Sequence, residues 1–127
     1  MVALDGSEVV LVRQLREAVR SHTLEIPAGI LDREGESSQE CAVRELREEA
    51  GYSAREVKLL GVVHPSPGFS DERIDIFMCR AEAEGQPEEG IELVPMPLSH
   101  ALQGIRDGWI TDGKTVAGLL LAADRGR

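Results

Sequence analysis

Three glutamates, Glu45, Glu48 and Glu49, crowd one short stretch, Arg44 to Tyr52 (RELREEAGY). If the stretch is helical, Glu45 meets Glu48 at i, i+3 and Glu49 at i, i+4, so the three carboxylates are neighbours. Like charges at that spacing cost about a few tenths of a kcal/mol per pair when solvated, and more when half-buried. A hard divalent cation reverses the penalty, because clustered carboxylate oxygens are what magnesium and calcium bind. The helix taken alone also fits a plainer arrangement, a solvated charge-laced face with Glu40–Arg44 and Arg44–Glu48 pairs at i, i+4. The surroundings of the helix decide between the two.

Those surroundings read as an alternation of strands and helices. Residues 9–14 (VVLVRQ) are apolar and β-branched and predict a strand, as do residues 22–26. Pro27, Ala28 and Gly29 break the pattern, and a loop over 30–38 ends at Ser37 or Ser38, both good helix N-caps. A helix is predicted over 39–50, with Ala42, Val43, Leu46 and Ala50 as its core-facing stripe and Gly51 as its left-handed terminator. Strands follow at 57–63, 74–81 and 91–96, and helices at 99–106 and 115–124. Between them lie a turn-rich loop, HPSPGFSDE, and an acidic loop over 83–90. The order predicts an α+β domain, a mixed sheet flanked by helices, spanning residues 1–127 as one unit. The first core strand is expected at residue 9, almost at the start of the chain.

Composition narrows the partners. The net charge is −9, from 23 acidic and 14 basic residues, and the basic residues are scattered rather than gathered on a face. That argues against nucleic acid and, for a phosphate ester ligand, toward local neutralisation by cations. No apolar run approaches the roughly 20 residues of a membrane span, and residues 1–6 lack the regions of a signal peptide. Cys41 and Cys79 form no CxxC, which suits buried free thiols and a cytoplasmic location.

The helix and its approach together resemble the Nudix box. Gly29, then six residues, Glu36, seven residues, and Arg44-Glu45-Leu46-Arg47-Glu48-Glu49-Ala50-Gly51-Tyr52 match its fixed positions. The one departure is that the box has five residues, not six, after its glycine. The resemblance implies a Nudix-type α/β/α sandwich with a mixed sheet and a magnesium-dependent hydrolase (manganese as the alternative ion) of a nucleoside diphosphate linked to a second group. It implies Glu45 and Glu49 as principal metal ligands, Glu48 contributing to metal or catalysis, and the Ala28 carbonyl completing the set. Glu36 and Arg44 then brace the loop and helix. Two or three close divalent ions would neutralise the pyrophosphate and acidify a water.

Three further segments resemble the ADP-ribose-cleaving branch: Pro67, fifteen positions after Tyr52, Glu25-Ile26-Pro27-Ala28-Gly29-Ile30-Leu31-Asp32, and Arg13-Gln14-Leu15-Arg16. Composition alone would also make HPSPGFSDE a rigid turn. By that similarity Arg16 contacts a phosphate, Ser66, Gly68 and Glu72 line the ribose-phosphate side, and Ile30 offers a backbone contact. The general base falls on the loop Gln86–Glu92, with Glu89 in best register and Glu88 and Glu92 as alternatives; a mobile loop suits a base that closes over substrate. The branch commonly carries an extra N-terminal β segment for the adenine, exchanged in a homodimer; a homodimer is therefore implied, although this sequence offers no such segment. Competing assignments are another substrate, a nucleotide sugar or an oxidised nucleotide, and a non-catalytic nucleotide sensor.

Gly108 to Thr115 (GWITDGKT) literally satisfies GxxxxGK[ST]. It follows a predicted helix rather than a strand, so a turn with Thr111 or Asp112 capping the last helix is expected instead of a phosphate cradle. Trp109 is expected to pack at a domain or dimer surface.

Overall fold

In the computed structural model, which describes residues 1–125, the strands are β1 (Val2–Asp5), β2 (Glu8–Arg16), β3 (Ser21–Glu25), β4 (Tyr52–Val63), β5 (Ile74–Ala83) and β6 (Glu92–Pro97). The helices are α1 (Ser38–Ala50), α2 (Leu98–Asp107) and α3 (Gly113–Arg125). The sheet runs β3-β2-β1-β5-β4, with β6 also paired to β2. It is mixed, because β1 lies parallel to β5 and antiparallel to β2.

β1 corrects one expectation. The chain does not begin its sheet at residue 9: Val2 and Ala3 are fully buried and pair with Met78 and Cys79 in the middle of the sheet. Four residues are too few to show a period. The turn at Gly6–Ser7, with Gly6 at φ 61, folds β1 onto β2 as a tight hairpin. β4 also starts five residues before the expected strand, because a bulge at Glu56 (φ 54) interrupts its apolar pattern without ending the pairing.

The alternation of side chains along β2 divides the core in two. Val9 and Leu11 pack with Leu24, Ile26, Met96 and Leu119 under α2 and α3. Val10 and Val12 pack with Leu46, Ala50 and Phe77 under α1. The result is the three-layer α/β/α sandwich. Residues 14 and 16, continuing the α1-facing register, emerge from the core beside α1. Cys41 and Cys79 are both buried free thiols.

α1 is fixed at both ends. The Ser37 hydroxyl accepts from the Glu40 N–H at 3.1 Å, and the Glu40 carboxylate accepts from the Ser37 N–H at 3.1 Å, a reciprocal capping box. Glu40 is spent there rather than on Arg44. Gly51, at φ 74, ends the helix with its N–H on the Arg47 carbonyl.

Candidate active site

The α1 face, the end of β2, the loop after β3 and the start of α3 enclose a cleft of about 830 Å³. Of the residues expected to do chemistry, Arg16, Ala28, Ile30, Glu45, Glu48, Glu49 and Glu72 line it. Segments as far apart in sequence as Gln14 and Lys114 therefore converge at one place.

Glu49 is the most strained group in the cleft. It is 9% exposed, and its Oε2 is buried with no hydrogen-bond partner. Burial and the nearby Glu45 charge push its carboxyl up to about 7, against a smaller opposing pull from the Ala28 backbone. A buried carboxylate oxygen left without a donor is costly, and a bound cation is one way to satisfy it. Gly29 adds a second steric observation: a Cβ there would overlap the Glu45 carboxylate, so the bare glycine backbone gives Glu45 its place. Carboxylate oxygens, one orphaned, together with the Ala28 carbonyl at the cleft lining form a hard-oxygen donor set that fits magnesium better than a softer metal.

Arg44 organises the rest of this wall. Its guanidinium holds Glu36 in a two-pronged pair at 2.8 and 3.0 Å, as expected of the brace, and the pairing pushes the Arg44 pKa up and the Glu36 pKa down. Its Nη1 also donates to Glu45 and to Glu48, at 3.0 Å each. Both carboxylates are thereby drawn toward Arg44, and no ready-made cluster of three metal-ligating side chains exists among the described residues. Glu45 and Glu48 would have to exchange an arginine contact for the ion.

Four residues named as candidates, Glu89, Glu92, Ser66 and Gly68, are not in the cleft lining. Glu89 is displaced by its neighbour Glu88. The Glu88 N–H donates to the Glu49 carbonyl at 3.2 Å, and the Glu88 carbonyl accepts from Ile91 across a turn with Gly90 at φ 89. Glu89 thus sits inside a tight turn closed by Glu88 and Ile91, and it is exposed. Glu92, in β6, pairs with Arg13 at 2.7 Å, on the sheet face turned away from α1. Ser66 and Gly68 are also outside the lining. The Phe69 and Ser70 N–H groups both fold back onto the Ser66 carbonyl, so the loop bulges outward, Phe69 is 90% exposed, and Pro65 and Glu72 face the cleft instead.

Lys114 is the cleft residue that sequence reasoning passed over. GxxxxGK[ST] makes no phosphate cradle here, since it joins α2 to α3, and Asp112 caps α3 by accepting from the Thr115 N–H and hydroxyl at 3.3 and 2.6 Å. The lysine of the pattern nevertheless reaches the Glu25 carboxylate, 89 residues away, at 2.7 Å. Trp109 packs its ring on Gly104 and tilts against His100 at 5.1 Å, outside the lining of this cleft.

A mixed-sheet α/β/α sandwich with a glutamate-bearing helix beside a glycine loop is the architecture expected from the box, and the family comparison agrees. The chain belongs to the NUDIX domain family, whose model matches residues 1–116. It is 31% identical over 121 residues to the ADP-ribose pyrophosphatase of Bacillus subtilis (strain 168), covering 91% of this chain and 65% of that protein. It is 39% identical over 121 residues to a GDP-mannose pyrophosphatase of Escherichia coli O1:K1 / APEC, covering 85% of this chain and 62% of the relative. An ADP-ribose pyrophosphatase of Mycobacterium tuberculosis is 34% identical over 122 residues, with 91% of this chain and 59% of the relative covered. The chain thus spans about three-fifths of the length of these relatives. A crystal structure of an ADP compounds hydrolase superposes with a TM-score of 0.85 over 98% of this chain and 69% of that one; at 24% identity it supports the fold alone.

Proposed function

We propose that this chain hydrolyses the pyrophosphate bond of a nucleoside diphosphate joined to a second group, with magnesium as cofactor and ADP-ribose as substrate, giving AMP and ribose 5-phosphate. The observation that carries the reading is the buried, unpartnered Oε2 of Glu49 beside Glu45, in a cleft that also presents Arg16 and Lys114. A non-catalytic nucleotide sensor has no need of a carboxylate held in that costly state.

Glu45 and Glu49, with Glu48 and the Ala28 carbonyl, would hold the metal, which when bound supplies charge neutralisation and a more acidic water. Arg16 and Lys114 bind the diphosphate, and Arg44 holds Glu45 and Glu48 through its shared Nη1 until the ion takes its place, keeping its pair with Glu36. Glu88 takes the proton of the attacking water as the new P–O bond forms and the bridging P–O bond breaks. The leaving phosphate departs as one monophosphate ester and the attacked phosphorus stays on the other. In-line displacement of this kind relies on positioning and charge stabilisation, which is what the cleft provides.

The 39% identity to GDP-mannose pyrophosphatases favours one second reading, a nucleotide sugar at the same site. A substrate panel separates them. Purified protein with magnesium is offered ADP-ribose, GDP-mannose and an oxidised nucleoside triphosphate, and products are resolved by chromatography. AMP with ribose 5-phosphate as the fastest product supports ADP-ribose. GMP with mannose 1-phosphate as the fastest moves the substrate but keeps the reaction. Binding of all three with no product overturns the hydrolase.

A further inference from the structure

The reading above leaves Glu25 without a role, although it is among the most buried charges in the molecule. Its side chain is 2% exposed, at the end of β3, and four hydrogen bonds converge on its two oxygens. Arg16 donates through Nε and Nη2, each at 2.7 Å; Lys114 donates at 2.7 Å; Thr23 donates its hydroxyl. Burial alone would raise such a carboxyl, yet the bonds from Arg16, Lys114 and Thr23 outweigh it and hold Glu25 near 2, so it stays ionised.

The donors come from different elements, and a second set of bonds ties those elements together. The Thr115 hydroxyl, fully buried, accepts from the Ile26 N–H at 2.9 Å and donates to Asp112 at 2.6 Å, while Asp112 accepts from Lys114 at 2.8 Å. The first turn of α3 is thereby latched to the residue that follows Glu25. Two cations from β2 and α3 are brought to one carboxylate at the edge of the cleft.

What those cations have left to offer is countable. Arg16 has five N–H donors and spends two on Glu25, leaving three; Lys114 has three and spends two, on Glu25 and Asp112, leaving one. Both side chains line the cleft that holds Glu45 and Glu49, so the unspent donors are the ones a ligand can use. Paired carboxylates also restrict long, flexible side chains, which lowers the ordering cost when an anion binds.

We propose that Glu25 is a positioning residue that yokes Arg16 and Lys114 into one two-cation clamp for the diphosphate of the ligand. The inference rests on the proposed nucleoside diphosphate substrate class, and Glu25 itself touches no substrate. The clamp grips phosphate oxygens independently of magnesium, so it acts on binding rather than on the chemical step.

The test reads ADP binding by calorimetry with magnesium chelated, so that neither metal affinity nor turnover enters. Wild type is compared with Arg16→Met, Lys114→Met, the double variant, Glu25→Gln, and Glu25→Gln placed in the double variant. Each cation variant should weaken ADP about tenfold, and the double variant by clearly less than the product of the two, since one clamp is lost only once. Glu25→Gln should weaken ADP about as much in the parent and change it less than about twofold in the double variant. Losses that multiply in the double variant, or a Glu25→Gln loss that persists there, overturn the clamp. If Glu25→Gln does not fold, the Arg16 and Lys114 cycle alone decides, because both cations lie at the cleft surface. Hydrolysis of the substrate panel, measured separately, can fail or succeed without altering this result.

Discussion

Replacing Glu49 by glutamine should stabilise the metal-free protein and abolish its activity. The carboxyl is displaced from 4.5 to about 7, and at about 1.4 kcal/mol per pH unit that gap disfavours the ionised folded state by up to about 3 kcal/mol. Below about pH 4.5 both folded and unfolded chains hold the proton and the penalty is absent. It grows as pH rises from about 4.5 toward the folded value and is complete above about 7. Glutamine removes the charge but keeps a buried amide, so a gain of about 1–2 kcal/mol is expected at about pH 8, or roughly 3–8 °C in melting temperature. The assay is a pair of thermal melts with chelator, at about pH 8 and about pH 5. The variant should melt above wild type in the first and close most of the gap in the second. Added magnesium should raise wild type and leave the variant nearly unmoved, while turnover falls by roughly three orders of magnitude, about 4 kcal/mol of barrier. A variant that melts at or below wild type with chelator at the higher pH refutes the reasoning from the orphaned oxygen.

Other outcomes follow from the same geometry. Glu88→Gln should lower kcat by about 10²–10⁴-fold with little change in magnesium dependence, while Glu89→Gln and Glu92→Gln stay near wild type; the reverse ranking in steady-state kinetics returns the base to Glu89. Gly29→Ala should leave unfolding by urea changed by less than about 1 kcal/mol, because only the Glu45 side chain beyond its Cβ, and no backbone, has to move, yet weaken magnesium at least about tenfold by titration. Glu25 contributes stability above its unfolded value of 4.5 that is lost as pH falls toward about 2, so acid unfolding of wild type should steepen in that window and flatten in Glu25→Gln.

How much of this was legible in the sequence depended on the range over which each residue acts. α1 was readable from both ends, since Ser37, Glu40 and Gly51 work within four residues of the helix they bound. Its Glu45, Glu48 and Glu49 face follows from helical spacing, whereas the Glu36–Arg44 brace was legible only through the resemblance to the box. β1 was not legible, because Val2–Asp5 is too short to show alternation and owes its place to partners in β2 and β5. Glu88 and Glu89 are indistinguishable as letters; a turn closed by Ile91 and opened by the positive φ of Gly90 decides which of them faces the cleft. Lys114 was discounted because its pattern implied a different fold, and nothing local announces a partner 89 residues upstream. Ser66 and Gly68 lie outside the cleft lining for the opposite reason: a resemblance in loop composition does not fix which side of the loop turns inward.

The most direct measurement is of the products formed from ADP-ribose with magnesium present and with it chelated. The account predicts AMP and ribose 5-phosphate in equal amounts with magnesium, and neither with chelator or in Glu49→Gln. Cleavage that continues undiminished with chelator, or tight ADP-ribose binding with no product at any magnesium concentration, would contradict it.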